Sequence, residues 1–232
     1  MEPIPETREV LEELERYGDV RLRASMERST TLAKERVPGL VGVSLGLVSG
    51  GIVLTYVASD LDTAALDAVQ YVDDGPCLEA VRQGETVETD TRSLLDEGRW
   101  TLFAQASAAA GVRSSVSLPV RREGVVRGGV NLYGNASDTF EGHVKQLARL
   151  FGAWAPGAVS NADLSFATRL EAMRSPRRLK GQAYVDRAIG ILMARGLDPR
   201  AAEERLRNAA ARAGVAVFVL ARALVEAQEP PE

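Results

Sequence analysis

The sequence predicts an α+β domain followed by a small three-helix module, and three observations carry that expectation. Aliphatic and β-branched runs come in pairs joined by turn residues, as in "VGVSLGLVSGGIVLTYVA" and "VRSSVSLPVRREGVVRGGVNLYG", the pattern of antiparallel hairpins. Short amphipathic segments with capping residues lie between those pairs. The stretch from Leu179 to Val225 holds three helical periods separated by glycines and contains no alternating run.

Taken in order, residues 1–36 read as an N-terminal helix. Val10, Leu14 and Tyr17, then Leu22, Met26 and Ala33, form a narrow apolar stripe. The first hairpin places Val41, Val43, Leu45 and Leu47 on one face of its leading strand. Ser59 or Asp60 then caps a helix carrying Leu61, Ala65, Leu66 and Val69. A Gly-Pro turn starts a further helical turn that Gly84 ends, and "TVETD" reads as an edge strand. "TLFAQASAAAG" is a helix stopped by Gly111, and the second hairpin turns at "RREG". Phe140, Val144, Leu147, Phe151 and Trp154 form a helical stripe, interrupted at Pro156 and Gly157 and renewed by Val159, Ala162, Phe166, Leu170 and Met173. So narrow a stripe predicts a parallel helical dimer stem, a coiled-coil-like pairing. The expected division is therefore an N-terminal helix at 1–36, an α+β body at 37–155, a helical linker at 156–178 and the three-helix module at 179–225.

In that module the first helix runs to about Ala194, with Val185, Ala188, Leu192 and Met193 as its core face. Gly196 ends it, and Asp198 caps the second helix with Pro199 in its first turn. Ala202, Leu206, Ala209 and Ala213 form the second stripe; Val217, Leu220, Ala221, Leu224 and Val225 form the third. A unit this small buries little by itself, so docking or dimerisation must support it.

Charge is distributed unevenly. The net charge is −4, yet Arg174 to Val225 carries eleven basic residues against four acidic ones. A basic helical module on an acidic body suits a polyanion, or simply a solvated arginine-rich surface. The single cysteine, Cys77, excludes an intramolecular disulfide, and with a polar N-terminal segment lacking a signal-peptide pattern it predicts a cytoplasmic protein. The uncharged run Val37–Ser59 is long enough to span a bilayer, but its proline, glycines and alternation predict two strands and no membrane segment.

With these elements laid out, two resemblances emerge. The pattern "LDAVQY…DGPCLEAVRQGETVETD…RW…FAQASAAAGVRSSVSLPV…GGVNLYG…F" resembles the GAF sensor domains that precede small regulatory outputs in actinobacterial proteins. From about Leu179 to Val225, "VDRAIGILM", "AEERLRNAA" and "VLARALV" are similar to the ANTAR domain, a three-helix RNA-binding antitermination module. The resemblance implies a GAF-like, mostly antiparallel sheet with inserted helices, and a dimeric regulator whose ANTAR helices grip paired RNA hairpins so that a terminator cannot form. The sequence departs from the family's usual pattern at Arg187 and Ile189, which replace a glutamine and a lysine, and at "GVAVFV", which replaces an asparagine followed by basic residues.

The expected RNA-binding residues are Arg187, Gly190, Arg195, Arg207 and Arg212: arginines for phosphates and a glycine for close backbone approach. Gly190 reads equally as a site of close packing against the third helix. The alternative function is a tail that docks on protein through exposed Val215, Val217 and Phe218 or only dimerises, without binding RNA. A small-molecule ligand in the sensor body is the remaining partner, with Tyr56, Tyr71, Trp100, Phe103 and Asn131 as candidate lining residues. Cys77, at a helix start, reads as a redox thiol or as packing, and His143 as a surface residue. No metal-ligand spacing, phosphate loop or nucleophile elbow is present, so neither cofactor nor catalysis is expected.

Overall fold

In the computed structural model, which describes residues 20–49, 51–151 and 182–228, five strands form one antiparallel sheet in the order β2-β1-β5-β4-β3. They are β1 (Leu40–Ser49), β2 (Ile52–Ala58), β3 (Val87–Asp90), β4 (Ser114–Arg122) and β5 (Val125–Gly134). The sheet is joined by α1 (Val20–Arg36), α2 (Leu61–Asp73), α3 (Pro76–Gln83), α4 (Thr91–Glu97), α5 (Thr101–Ala109) and α6 (residues 144–151). The tail supplies α7 (Gln182–Ala194), α8 (Pro199–Ala213) and α9 (Val217–Glu226). The expected α+β architecture with a three-helix C-terminal unit is thus the observed one. The first part of the N-terminal helix, Trp154, the Pro156–Gly157 joint and the rest of the stem lie outside the described residues.

Both hairpins form where turn chemistry placed them. The β4–β5 turn holds Glu123 at φ 52° and Gly124 at φ 78°, the left-handed pair that matches strand twist in a two-residue loop. Val37–Ser59 accordingly folds as β1 and β2. Among the described residues no single helix is long and apolar enough to cross a membrane. Val41 corrects the expected strand face: the register shifts between Leu40 and Gly42, and Val41 is left 39 % exposed while Val43, Leu45 and Leu47 are buried. Helix α4 was not expected; Asp90 caps it by accepting from Ser93 N, a local signal at the end of an edge strand.

Each face of the sheet has its own core. On one, Leu45, Leu47, Tyr56, Val116, Leu118, Val130 and Leu132 pack with Ala33, Phe140, Leu147 and Phe151. On the other, a second apolar cluster runs from Val53, Ala64, Ala68 and Val69 through Leu102 and Phe103 to Val185, Leu192, Leu206, Leu220 and Leu224 of the tail, without interruption. The support the small module needed therefore comes from the α+β body. Helix α2 lies between sheet and tail, in contact with β2 and with both α8 and α9, so every residue from Thr63 to Val72 is buried. Asp60 caps α2 through its contact with Thr63 N at 2.7 Å.

The tail helices follow their stripes. Ala202, Leu206, Ala209 and Ala213 are fully buried, as are Leu220, Ala221 and Leu224. Asp198 accepts from Ala201 N at 3.0 Å, and Gly214 ends α8 at φ 67°, a conformation that favours glycine. Val185, Ala188 and Leu192 are core, but Met193 is 42 % exposed. One residue beyond Leu192, it has rotated about 100° off the buried stripe.

Candidate nucleic-acid interface and sensor core

The α+β body buries a connected set of polar side chains between α2 and the sheet. Ser44, Ser117 and Asn131 share a row across three strands, because Asn131 of β5 pairs with Ser44 of β1 and Ser117 of β4. The Asn131 amide donates to Ser44 Oγ at 3.1 Å and to Asp67 Oδ1 at 3.0 Å, and accepts from Ser117 Oγ at 3.0 Å. Asp67, from α2, also accepts from Tyr133 OH at 2.6 Å and from Thr55 Oγ1 at 2.9 Å. Thr55 Oγ1 is 2.9 Å from Tyr71 OH, while Gln70 donates to Tyr133 OH at 3.0 Å and accepts from Cys77 N at 2.8 Å. A buried polar group left unpaired costs about 1–3 kcal/mol, so this cluster is viable only because its members satisfy one another.

Burial pushes the Asp67 carboxyl above its usual value, against the lowering effect of its hydrogen bonds to Tyr133, Ser44, Thr55 and Asn131. Tyr71 and Tyr133 are raised well above the usual phenol range, first by burial and then by the nearby Asp67 charge. Burial also pushes the Cys77 thiol up to about 12. The helix-start position therefore does not activate Cys77, which is 1 % exposed; loss of water outweighs the helix dipole. His143 is half-buried rather than fully on the surface.

Of the five candidate lining residues, the structure brings Tyr71 and Asn131 together around Asp67. Phe103 lies beside them, its ring centroid 6.5 Å from that of Tyr133. Trp100 sits at the start of α5 with the Arg99 guanidinium 3.8 Å above its ring. Tyr56 belongs to the opposite face of the sheet, where alternation along β2 sends it away from Thr55. Sequence reasoning missed Asp67, Thr55, Gln70 and Tyr133. A signal for the first two helical members was present: Asp67, Gln70 and Tyr71 recur at three- and four-residue spacing within an otherwise apolar helix.

The tail arginines divide into two sets. Arg187 is exposed on α7. Arg207, exposed on α8, directs Nε and Nη2 to Glu203 Oε1 at 3.0 and 2.7 Å. Arg195 and Arg212 turn toward the α+β body instead. Arg195 Nη2 is 2.6 Å from Asp73 Oδ2, and Arg212 donates from Nε to Val53 O at 2.9 Å with its guanidinium 4.2 Å above the Tyr71 ring. Burial lowers the Arg212 pKa, with the Tyr71 and Cys77 charges opposing that shift. Arg205, which the sequence did not single out, reaches Val72 O at 3.3 Å.

Gly190 sits mid-helix, exposed, and a Cβ built there meets nothing within 4 Å. This removes the close-packing explanation for it. The "GVAVFV" run is likewise not an exposed apolar surface. Val215 is buried, Val217 packs on the core, and Phe218 meets Tyr184 of α7 edge-on at 5.6 Å. Among the described residues, no group of three His, Cys, Asp or Glu side chains could hold a metal ion.

Against known proteins, the family model described as "GAF domain" matches residues 8–154, and the one described as "ANTAR domain" matches residues 175–225. Among solved structures, the chain is similar to the type II free methionine-R-sulfoxide reductase from Thermoplasma acidophilum, at 18 % identity and a TM-score of 0.44, over 60 % of this chain and 92 % of that one. It is also similar to an IclR homolog complexed with 4-hydroxybenzoate from Microbacterium hydrocarbonoxydans, at 15 % identity and a TM-score of 0.29, over 63 % and 70 % of the two chains. No curated protein matches the chain.

Proposed function

The chain belongs to the GAF domain family and carries an ANTAR domain after it, and from that premise we propose that it is a non-catalytic, signal-responsive cytoplasmic regulator that binds RNA hairpins to control transcription termination. The match of residues 175–225 to the ANTAR domain carries the reading. The outer surface of α7 supports it: Arg187 and Gly190, three residues apart on one helical face, are both exposed and no side chain crowds the glycine. An exposed glycine in a helix interior costs about 1 kcal/mol relative to alanine, a cost that close approach of an RNA backbone would explain. In this reading Arg187 and Gly190 of α7 and the exposed Arg207 of α8 meet the RNA, with Arg195 and Arg212 joining when the tail leaves the body.

The functional division follows the same reading, with the sensor at 37–155, a helical linker at 156–178 and the RNA-binding module at 179–225. Two chains pairing through the stem would present two such modules to paired hairpins. The Asp67 cluster, with Tyr71 and Asn131, is where a small-molecule signal would act on the sensor. A second reading, an ANTAR-like tail that serves only as an interaction module, draws on the contacts of Arg195, Arg205 and Arg212 with the body.

The test is retention of structured RNAs by the purified protein from low to physiological salt, with molar mass measured in parallel. Selective capture of paired hairpins, weakening steeply with salt as counterions are released, is the expected result. No selective capture at any salt would favour the interaction-module reading.

A further inference from the structure

We propose that the C-terminal end of α2 is an internal competitor for RNA, holding three tail arginines in contacts that a phosphate backbone would otherwise take. The inference rests on the RNA-binding reading above and specifies its regulation.

Three consecutive residues make the dock. Tyr71 lies under the Arg212 guanidinium, Val72 O accepts from Arg205 Nη1, and Asp73 Oδ2 accepts from Arg195 Nη2. The arginines come from two parts of the tail, the turn after α7 and the length of α8, yet converge on one helix end. That end is electrostatically suited to them. The last carbonyls of a helix carry partial negative charge and favour cations, and α2 has no basic residue of its own in its last turn. The backbone oxygen, the carboxylate and the aromatic face offer guanidinium groups what a phosphate oxygen and a stacked base would offer.

The two uses exclude each other. Helix α8 packs directly on α2, and Arg212, half-buried, also donates to Val53 O on the outer strand β2. Arg195 and Arg205 are exposed but spend guanidinium donors on Asp73 and Val72, so an RNA phosphate must take those donors from α2 while the tail is seated. RNA that needs the whole basic surface must displace it, and apparent affinity falls by the fraction of protein that is open. The dock is also wired to the sensor interior. Tyr71 OH bonds Thr55, and Thr55 bonds Asp67. Rearrangement of the polar cluster therefore reaches Arg212 through one side chain.

The test uses the full chain in three forms: wild type, Asp73→Lys, which repels Arg195 and Arg205, and Glu88→Lys. Glu88 is exposed on β3, at the opposite edge of the sheet from β2, and its substitution makes the same change in net charge. Each is assayed against a pool of RNAs bearing two adjacent stem-loops, and by hydrogen exchange. Asp73→Lys should bind RNA about tenfold more tightly than Glu88→Lys and exchange faster in α8; RNA added to wild type should accelerate exchange in the last turn of α2. Equal RNA affinity of the two variants, or protection of that turn unchanged by bound RNA, overturns the competition and leaves the RNA reading standing. RNA retained by none of the three forms at any salt overturns the RNA reading and the competition together.

Discussion

Replacing Asp67 with asparagine should stabilise the protein increasingly as pH rises. The Asp67 carboxyl is fully buried and its pKa stands above 3.8, with burial as the largest cause. For a carboxyl raised on folding, the stabilising contribution is complete below the unfolded value and is lost as pH climbs through the folded value. Within that window the loss is about 1.4 kcal/mol per pH unit. Asparagine does not titrate, and it fits the hydrogen bonds. Its carbonyl oxygen can take the place of Oδ1 and accept from Asn131 and Tyr133, while its amide donates to Thr55 Oγ1, which then donates to Tyr71. Urea denaturation of both proteins from pH 4 to pH 8 should show the difference in unfolding free energy moving in favour of Asp67→Asn, with a slope of up to about 1.4 kcal/mol per pH unit, until the carboxyl is ionised. Parallel pH profiles with a loss of about 3 kcal/mol at neutral pH would refute the reasoning. That result would mean that charge-assisted hydrogen bonds outweigh the cost of burying the ion.

Three further outcomes are expected. Gly190→Ala should raise stability by about 0.5–1 kcal/mol because its Cβ enters open space, yet weaken RNA retention; a fall in thermal midpoint would show the surroundings are not open. Cys77, buried with its thiol pushed up to about 12, should resist alkylation at pH 8 until denaturant is added, so labelling at the rate of a free thiol in the native protein would count against its burial. Asp198→Ala should cost about 1 kcal/mol through loss of the α8 cap, with Asp198→Asn retaining most of it; equal losses would show that the carboxylate charge, not the cap geometry, matters.

The sequence by itself determined the elements whose causes are local. Hairpin turns, the Asp60 and Asp198 caps and the alanine–leucine stripe of α8 were legible because each depends on residues within a few positions of one another. The two expected domain types were legible as well, through motifs that run along the chain. Tertiary structure alone decided what long-range packing sets. Helix α2 reads as amphipathic but is buried all round, because the tail covers the side that the sheet does not. Ser44, Ser117 and Asn131 are distant in sequence and meet only through strand register. Arginines look alike in a sequence, so only the seating of the tail on α2 could separate Arg195, Arg205 and Arg212, which bind the body, from Arg207, which bonds Glu203 of its own helix. Arg212 and Val53, 159 residues apart in the chain, meet only on the folded surface.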